Sequence, residues 1–292
     1  MEENKEKEIF LNKISKVVDY MHSVNIPSID KALRNTDGLF NNIFLFDSSG
    51  PTSFEIIIDK QNIPKWWRSV YNWGASISFS FSWACAWLKL LDEKRQALTK
   101  ENSSSNFNEF VKSEYFDGEA WFCAKYYLDN AIIRLYSYRE KLTWMLNSHS
   151  KLCLLSEEED KISFWKYYEK AKKSIAQDYE AIVDILSENF TSPKINEIIK
   201  HYRHDFIHND TPIVDWPKEQ QATVIKKYDK NNRLVSMEVP LYGLQPPDFE
   251  IDTLMEDTLY VWGQFVEGTN KIYELLNESY YQGIQENTEN EK

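Results

Sequence analysis

Glycine, proline and cysteine are all scarce in this chain. Its 292 residues include eight glycines, nine prolines and three cysteines. So few glycines argue against a fold built from many strands and tight turns. An odd number of cysteines without paired short spacings fits neither a disulfide framework nor a zinc site. Because Cys85, Cys123 and Cys153 lie among aromatic or leucine residues, we predict reduced core residues in a cytoplasmic protein.

Positive charge is also in short supply. The chain has 34 lysines and arginines against 46 aspartates and glutamates, which gives a formal net charge of −12. Non-specific binding to nucleic acids depends on Lys and Arg that neutralise phosphates, so the overall charge argues against general nucleic-acid binding. Any partner that carries phosphate therefore has to bind at a local positive site.

Uncharged apolar stretches of membrane-spanning length are nearly absent. Residues 69–88 carry no charge and are about long enough, yet they include an asparagine, a glycine and five serines. We predict a buried core helix here and no membrane partner. The charged N-terminus, MEENKEKEIF, has no apolar segment of the kind that a signal peptide needs.

Aromatic and aliphatic residues are abundant, and their spacing is mostly helical. Hydrophobic residues make up 42% of the chain and aromatic residues 15%, which suits a large folded core. In the first segment, Ile14, Val17 and Met21 recur on one helical face. The same reasoning predicts helices over residues 5–24, 64–99, 119–147, 157–188, 193–210 and 249–281.

Two segments depart from this helical pattern. Apolar runs at 43–46 and 54–58 flank a turn-like DSSGPTS, and residues 222–242 contain two β-rich runs joined around DKNNR. We predict a β-hairpin at each place. The predicted fold class is therefore mainly α, a helical bundle of about four long helices with one or two small β-hairpins.

The same features divide the chain into three parts. Residues 1–60 are predicted to form an N-terminal extension made of a helix and a hairpin. Residues 61–282 form the helical bundle, with the second hairpin inserted at about 222–242. Residues 283–292 have a polar sequence and are predicted to be a flexible tail.

Three of the five histidines stand together in KHYRHDFIHNDTP, residues 200–212. Four residues separate Arg203 from His208, and His204, Asp205 and Asn209 lie beside them. A guanidinium stays protonated in proteins, whereas an imidazole titrates near neutral pH. Such a pair can cleave a phosphodiester without a metal, because the imidazole transfers the proton and the guanidinium holds the phosphate.

The segment RHDFIH resembles the R-x4-6-H signature of the HEPN superfamily. The polar residue directly after the arginine, here His204, is also typical of that signature, as is a position near the end of a helix before the last helix of a bundle. Members of the superfamily are small helical bundles, and many are metal-independent ribonucleases that act as symmetric dimers. The match covers the motif itself, and the surrounding helices agree in type and order.

The resemblance implies a HEPN-like bundle that acts as an endoribonuclease without a cofactor or a metal. Arg203 would bind the scissile phosphate, and His208 would be the general acid or base. His204, Asp205 and Asn209 would orient or bind the substrate. The implied setting is a toxin, abortive-infection or other antiphage defence protein in the cytoplasm. Its partners would be RNA, a second copy of the chain, and an antitoxin or other regulatory partner. The acidity of the chain favours a selected RNA such as a tRNA loop over bulk RNA.

Helix geometry gives a separate reason to expect a dimer. Five residues on an ideal α-helix turn through about 500°, so Arg203 and His208 point about 140° apart on one chain. They converge only if the helix ends or bulges between them, or if a second chain completes the site. We therefore predict a homodimer.

Two other interpretations of the motif stay open. His201, His204 and His208 share one face of an α-helix, so together with Asp205 or Asp210 they could bind a divalent metal in a phosphohydrolase. Alternatively, the segment is a polar helix end, because histidines near a C-terminus interact favourably with the helix dipole. The chain would then be a non-catalytic HEPN-like module that binds protein or nucleotide.

Outside the motif, a polar set stands within an aromatic stretch of the helix from residue 119. It consists of Asp129, Arg134, Tyr138 and Arg139. We predict buried Asp–Arg pairing, with added positive charge in the cleft from Arg134 or Arg139 as the alternative. The dense tryptophans between residues 66 and 87 indicate core packing, with base stacking as the alternative.

Overall fold

A computed structural model describes the chain in a series of segments. They are residues 2–29, 53–101, 116–148, 152–155, 162–174, 177–208, 212, 214–215, 218–219, 225–228, 234–238, 244–245 and 247–290. Within them, the side chains at 2–6, 53–64, 98–101, 177–179, 208, 218–245 and 277–290 are not described.

Helices hold most of the described residues, which confirms the mainly α fold class. α1 spans Glu2–Ser23, α2 Ser53–Glu101, α3 Gly118–Asn147, α4 Phe164–Ala171 and α5 Gln177–Phe190. α6 (Pro193–Asn196), a π-helical turn (Glu197–Tyr202) and α7 (Arg203–His208) follow one another directly, and together they are called the motif helix. The last helix, α8, spans Ile251–Asn290.

Four short strands are described between α7 and α8. They are β1 (Lys218–Glu219), β2 (Ile225–Tyr228), β3 (Leu234–Glu238) and β4 (Leu244–Gln245). β2 pairs antiparallel with β3, with Ile225 opposite Glu238, and β1 pairs antiparallel with β4, with Lys218 opposite Gln245. The β2–β3 pair occupies the segment of the second predicted hairpin.

The most extensive packing is between α2 and α3, which run antiparallel. Trp66 near the described start of α2 stacks on Trp144 near the end of α3, with ring centroids 5.0 Å apart. At the opposite end, Lys94 of α2 pairs with Asp117, directly before α3, at 2.7 Å. The two long helices therefore provide the frame on which the other helices pack.

Asp117 explains why α3 begins where it does. Its side chain accepts a hydrogen bond from the backbone N–H of Ala120 at 3.0 Å, which is the role of an N-cap residue. It also forms ion pairs with Lys13 of α1 at 2.9 Å and with Lys94 of α2 at 2.7 Å. One carboxylate thus fixes the start of α3 and joins it to two other helices.

Buried side chains of α3 and α8 form the middle of the core. Those of α3 recur with helical spacing, at Ala120, Ala124, Leu128, Ala131, Leu135 and Leu142. Trp262 and Phe265 of α8 are fully buried against Tyr138 of α3. The hydroxyl of Tyr138 is hydrogen-bonded to that of Thr269 at 2.6 Å, so this buried polar group is satisfied.

The segment after α1 is held against α2 and α8. The carbonyl oxygen of Pro27 accepts hydrogen bonds from Trp262 Nε1 at 2.6 Å and from Ser78 Oγ at 3.0 Å. Ile29 packs where Gly74 leaves room, because a Cβ at Gly74 would come within 2.5 Å of its side chain. Residues 24–29 therefore belong to the packed structure.

The prediction for residues 54–58 is wrong. These residues lie in α2, so they do not form a strand, and the first predicted hairpin is lost with them. The other predicted strand, 43–46, lies outside the described residues. α2 also begins well before Pro64 and runs across the predicted boundary at residue 60. A short apolar run rich in isoleucine suits a strand and a buried helix equally, and its sequence alone cannot decide between them.

Two helix ends also differ from the predictions. The helix predicted over 157–188 is two helices, α4 and α5, with residues 172–176 between them. α8 continues to Asn290, beyond its predicted end at 281 and into the predicted tail. The extension contains no proline, and its one glycine, Gly283, lies within the helix without ending it. By contrast, the predicted helix over 119–147 is confirmed, because the capping residue before it marks its start.

The core predictions hold with one exception. Residues 69–88 lie in α2, and Val70, Ile77 and Phe81 are buried there, as expected for a core helix. Among the helices that the structure describes, none combines the length and apolarity needed to cross a membrane. All three cysteines are free, and Cys153 is exposed rather than buried because it lies in the connection after α3.

The tryptophan cluster of α2 contributes to the core, as predicted. Trp67 and Trp87 are buried, and Trp66, Trp73 and Trp83 are partly buried against the core.

Candidate functional site

The motif helix is fixed to α3 by a buried polar contact. Tyr202 is 1% exposed, and its hydroxyl donates a hydrogen bond to Asp129 Oδ1 at 2.6 Å. Lys125 Nζ pairs with Asp129 Oδ2 at 2.7 Å and lies 5.5 Å from the ring centroid of Phe206. Burial raises the pKa of Asp129, although the charge of Lys125 opposes that rise. These contacts determine where Arg203 lies relative to α3.

The predicted Asp–Arg pairing on α3 is wrong. Asp129 pairs with Lys125, one helical turn before it, because residues four apart face each other on a helix. Arg134 Nη1 donates to Asn130 Oδ1 at 2.9 Å, again within one turn. Arg139 is left with a different environment, formed by aromatic rings.

A π-helical turn directly precedes Arg203. Such turns are rare and are often found at functional sites. The turn ends at Tyr202, and Arg203–His208 is α-helical. The bulge therefore does not fall between Arg203 and His208, and the two positions stay about 140° apart around the axis of an ideal helix.

Arg203 lies over the ring of Tyr136 from α3. Its guanidinium carbon is 3.8 Å from the ring centroid, which is a close cation–π contact. The side chain is partly buried, and its Nε is enclosed without a hydrogen-bond partner. Among the described residues it forms no ion pair. The described residues therefore offer Arg203 an aromatic ring and no paired carboxylate.

A second guanidinium approaches the same tyrosine. The guanidinium carbon of Arg139 is 5.9 Å from the ring centroid of Tyr136 and 4.5 Å from that of Phe164. Arg139 is 2% exposed, and its Nε has no hydrogen-bond partner. Its Nη1 donates only a long hydrogen bond, 3.4 Å, to the carbonyl oxygen of Phe190. Arg139 is thus a deeply buried cation with few hydrogen bonds.

The electrostatic surroundings of Arg139 are unfavourable for its charge. Burial lowers the pKa of Arg139 to about 10, and the positive charge of Arg203 adds to the decrease, while Glu140 and Tyr136 oppose it. Arg139 nevertheless remains protonated at neutral pH. The side chain of Glu140 is engaged at the start of α4, where Oε2 accepts a hydrogen bond from the backbone N–H of Phe164 at 3.1 Å.

The other predicted site residues are described to different extents. His204 is exposed on α7, and Asp205 is partly buried in its first turn. For His208 the structure describes the backbone and not the side chain, and Asn209 lies outside the described residues. The roles of these four residues therefore stay predictions.

The metal interpretation depends largely on side chains that are not described. His201 and His204 are exposed. In the described part of the chain, no three His, Cys, Asp or Glu side chains group closely enough to hold a metal ion. The side chain of His208 and the whole of Asp210 lie outside that part.

Tyr136 was not predicted as a site residue, and Arg139 was predicted only as an alternative. A sequence signal exists, because Tyr136 and Arg139 are three residues apart and share a helical face of α3. That spacing does not reveal the contact with Arg203, which comes from a helix much later in the chain. Comparison of the chain with protein-family models, with curated proteins and with solved structures found no match in any of the three.

Proposed function

We propose that the protein is a metal-independent endoribonuclease of HEPN type. The observation that supports it best is the state of Arg203. The residue is partly exposed, and its guanidinium lies over the ring of Tyr136 without an ion pair among the described residues. A cation in that state suits a phosphate, whose oxygens accept the fork of guanidinium donors.

The proposed reaction uses the ribose of the RNA as the nucleophile. The 2′-OH gives its proton to an imidazole as its oxygen attacks the adjacent phosphorus, and the bond from phosphorus to the 5′ oxygen breaks. That oxygen takes up a proton, so the products are a cyclic phosphate and a 5′-OH. His208 is the acid or base, Arg203 holds the phosphate as its charge develops, and His204, Asp205 and Asn209 orient the substrate.

The proposed active form is a homodimer. Because positions 203 and 208 are about 140° apart on an α-helix, one chain brings them together poorly. A symmetric pair of chains places an arginine of one chain near a histidine of the other. The proposed setting is a cytoplasmic toxin or antiphage defence protein that cuts a selected RNA, such as a tRNA loop, under the control of an antitoxin or another partner.

A second candidate is a non-catalytic HEPN-like module that binds protein or nucleotide. The close contact of Arg203 with Tyr136 favours it, because this contact joins α7 to α3 and would serve packing alone. In that case the guanidinium of Arg203 only stabilises the packing of the motif helix on α3, and the protein catalyses no reaction.

Cleavage of total RNA in the presence of EDTA separates these candidates. We expect the wild-type protein to cut RNA with the chelator present and to leave 5′-OH ends, which end mapping detects. Arg203→Ala should lose most of this activity, because the developing charge on the phosphate is no longer stabilised. An Arg134→Ala variant is the matched control, since Arg134 bonds to Asn130 of its own helix.

Two outcomes would contradict the proposal. If Arg203→Ala cleaves RNA at the wild-type rate, Arg203 takes no part in the reaction. Absence of any RNA cleavage by folded wild-type dimers, across total RNA from several sources, would favour the non-catalytic module.

A further inference from the structure

Two arginines that form no ion pair with a described residue stand where the motif helix meets α3. Arg139 and Arg203 both lie close to Tyr136, with guanidinium carbons 5.9 and 3.8 Å from its ring centroid. The Nε atom of each is enclosed and has no hydrogen-bond partner. Among the described residues neither arginine forms an ion pair. The protein thus concentrates positive charge at one buried place although its net charge is −12.

This arrangement is unfavourable unless something completes it. A buried guanidinium loses its hydration, and contacts with aromatic rings restore only part of that loss. The neighbouring cation adds repulsion. An acidic chain has many carboxylates with which to pair a buried arginine, yet Arg139 lies against aromatic rings and donates one long hydrogen bond to a backbone carbonyl. The charge of Glu140 favours the protonated guanidinium of Arg139, but Oε2 of Glu140 accepts the hydrogen bond from the backbone of Phe164. An anion from outside the chain would satisfy both the charge and the free donors.

We propose that Arg139 joins Arg203 in a two-arginine site that holds a phosphate group of RNA. The site rests on the ribonuclease function proposed above and adds to it a second cation, from α3. Two guanidinium forks can together surround a phosphate, because each presents paired donors to its oxygens. Arg203 is partly exposed whereas Arg139 is 2% exposed, so a ligand would approach the site from the side of Arg203.

Trp165 extends the site towards a nucleotide. It is 43% exposed, and its ring centroid lies 5.5 Å from the guanidinium carbon of Arg139. Its ring is packed edge-to-face with Phe164 and Tyr168, which limits its movement. An exposed, supported indole beside a phosphate site is suited to stacking a base. RNA should therefore bind more tightly than free phosphate.

Binding of an uncleavable RNA tests the site. The probe is a short, fluorescent, 2′-O-methylated oligonucleotide of mixed sequence, which lacks the attacking hydroxyl, and its Kd is measured by anisotropy. We expect Arg139→Met to weaken binding by about 10- to 100-fold, the usual effect of losing charge-assisted hydrogen bonds. Arg134→Met, on the same helix, should leave the Kd within about twofold of wild type, since its partner is Asn130.

Competition identifies the group that is bound. Inorganic phosphate and a 5′-nucleoside monophosphate are each titrated against the probe at constant ionic strength. Both should displace it from the wild type, the nucleotide at lower concentration because of Trp165. If phosphate and nucleotide displace the probe at the same concentration, the site binds the phosphate group and not the base. Failure of both to displace the probe would overturn the site.

Thermal unfolding distinguishes a ligand site from a structural brace. If Arg139 holds an anion, Arg139→Met should unfold no more easily than wild type in phosphate-free buffer, because an unpaired buried cation has been replaced by an apolar side chain of similar length. Phosphate should raise the Tm of the wild type and not that of the variant. A lowered Tm together with an unchanged Kd would overturn the proposal and make Arg139 a packing residue.

Further outcomes keep this site separate from the nuclease function. If Arg139→Met does not fold, Arg139→Lys decides: weaker binding supports the site, and an unchanged Kd overturns it. If the Arg139 variants cleave and bind RNA as well as the wild type does, the two-arginine site is overturned and the nuclease function is not. If RNA binding depends on Arg139 but the wild type cleaves no RNA, the phosphate site stands and the nuclease function is rejected.

Discussion

Asp117 shows how much one residue can contribute to the joining of helices. Burial alone would raise the pKa of its carboxyl, but the hydrogen bonds from Lys13, Lys94 and the backbone of Ala120 lower it to about 2. An aspartate in an unfolded chain has a pKa of about 3.9. Since the folded value is the lower one, the ionised carboxylate stabilises the fold above about pH 4, and this contribution is lost as the pH falls towards 2.

We therefore expect Asp117→Asn to lower the free energy of unfolding by about 2 kcal/mol at pH 7. Asparagine is a good N-cap, so the substitution tests the charge rather than the cap. Urea unfolding at pH 7 and at pH 3 measures the effect, and the gap between variant and wild type should narrow at the lower pH.

Glu119→Gln is the control for Asp117→Asn. Glu119 also pairs with Lys13, at 2.7 Å, but its side chain is half exposed. An exposed ion pair contributes less than about 1 kcal/mol, so this variant should unfold almost like the wild type. Equal losses for the two variants, or a gap that widens in acid, would show that the charge of Asp117 is not what joins the three helices.

The residues of the candidate site could be predicted from the sequence only in part. The gathering of His201, His204 and His208 around Arg203 was visible because these residues are neighbours in the chain. The contact of Arg203 with Tyr136 depends on how the motif helix docks on α3. That docking is set by a buried hydrogen bond between Tyr202 and Asp129, and no local pattern reports such a long-range contact.

The packing of α8 against α5 depends on the absence of a side chain at Gly268. A Cβ at this position would lie 2.5 Å from Phe190 Cε2 and 2.6 Å from Asn189 Cβ, closer than atoms can approach. We expect Gly268→Ala to lower the free energy of unfolding by about 1 to 3 kcal/mol, because overpacking outweighs the better helix propensity of alanine. Thermal or urea unfolding measures the change.

Gly263 of the same helix is the matched control for Gly268. A Cβ at Gly263 would lie 4.0 Å from the nearest atom, in the ring of Pro27, which is ordinary contact. Gly263→Ala should therefore leave stability unchanged or raise it by up to about 1 kcal/mol. If both variants behave alike, helix propensity rather than the close approach of α8 to α5 controls the effect.

The elements themselves could be predicted where local chemistry marks them. α3 was predicted almost to its ends because Asp117 caps it and its apolar face is continuous. Residues 54–58 were misassigned because an apolar run of this length is compatible with a strand or a helix. The division of α4 from α5 and the π turn before Arg203 were also missed, since no glycine or proline marks either place in the sequence.

Across the whole molecule, the net negative charge has to be reconciled with the proposed phosphate ligand. A net charge of −12 repels bulk RNA, so few non-specific contacts are available to hold it. A compact pair of arginines beside an exposed tryptophan would instead select a single phosphate and its base. The acidic surface then favours a structured, selected RNA over random binding, which is why the proposed substrate is a loop such as that of a tRNA.

The last prediction concerns the number of chains in one active site. If the site is shared, Arg203→Ala and His208→Ala should each be inactive alone, with His208→Ala reduced by about 10² to 10⁴-fold. Mixed dimers of the two variants retain one intact arginine and one intact histidine across the cleft, so mixing them under conditions of subunit exchange should restore RNA cleavage.

Light scattering should give a mass twice the 34.7 kDa of one chain. His22→Ala, on α1, serves as the active control. Two results would place the whole reaction within one chain: wild-type activity in a monomer, or mixed dimers that form without regaining activity. The motif helix would then have to bend after Arg203 for Arg203 and His208 to meet.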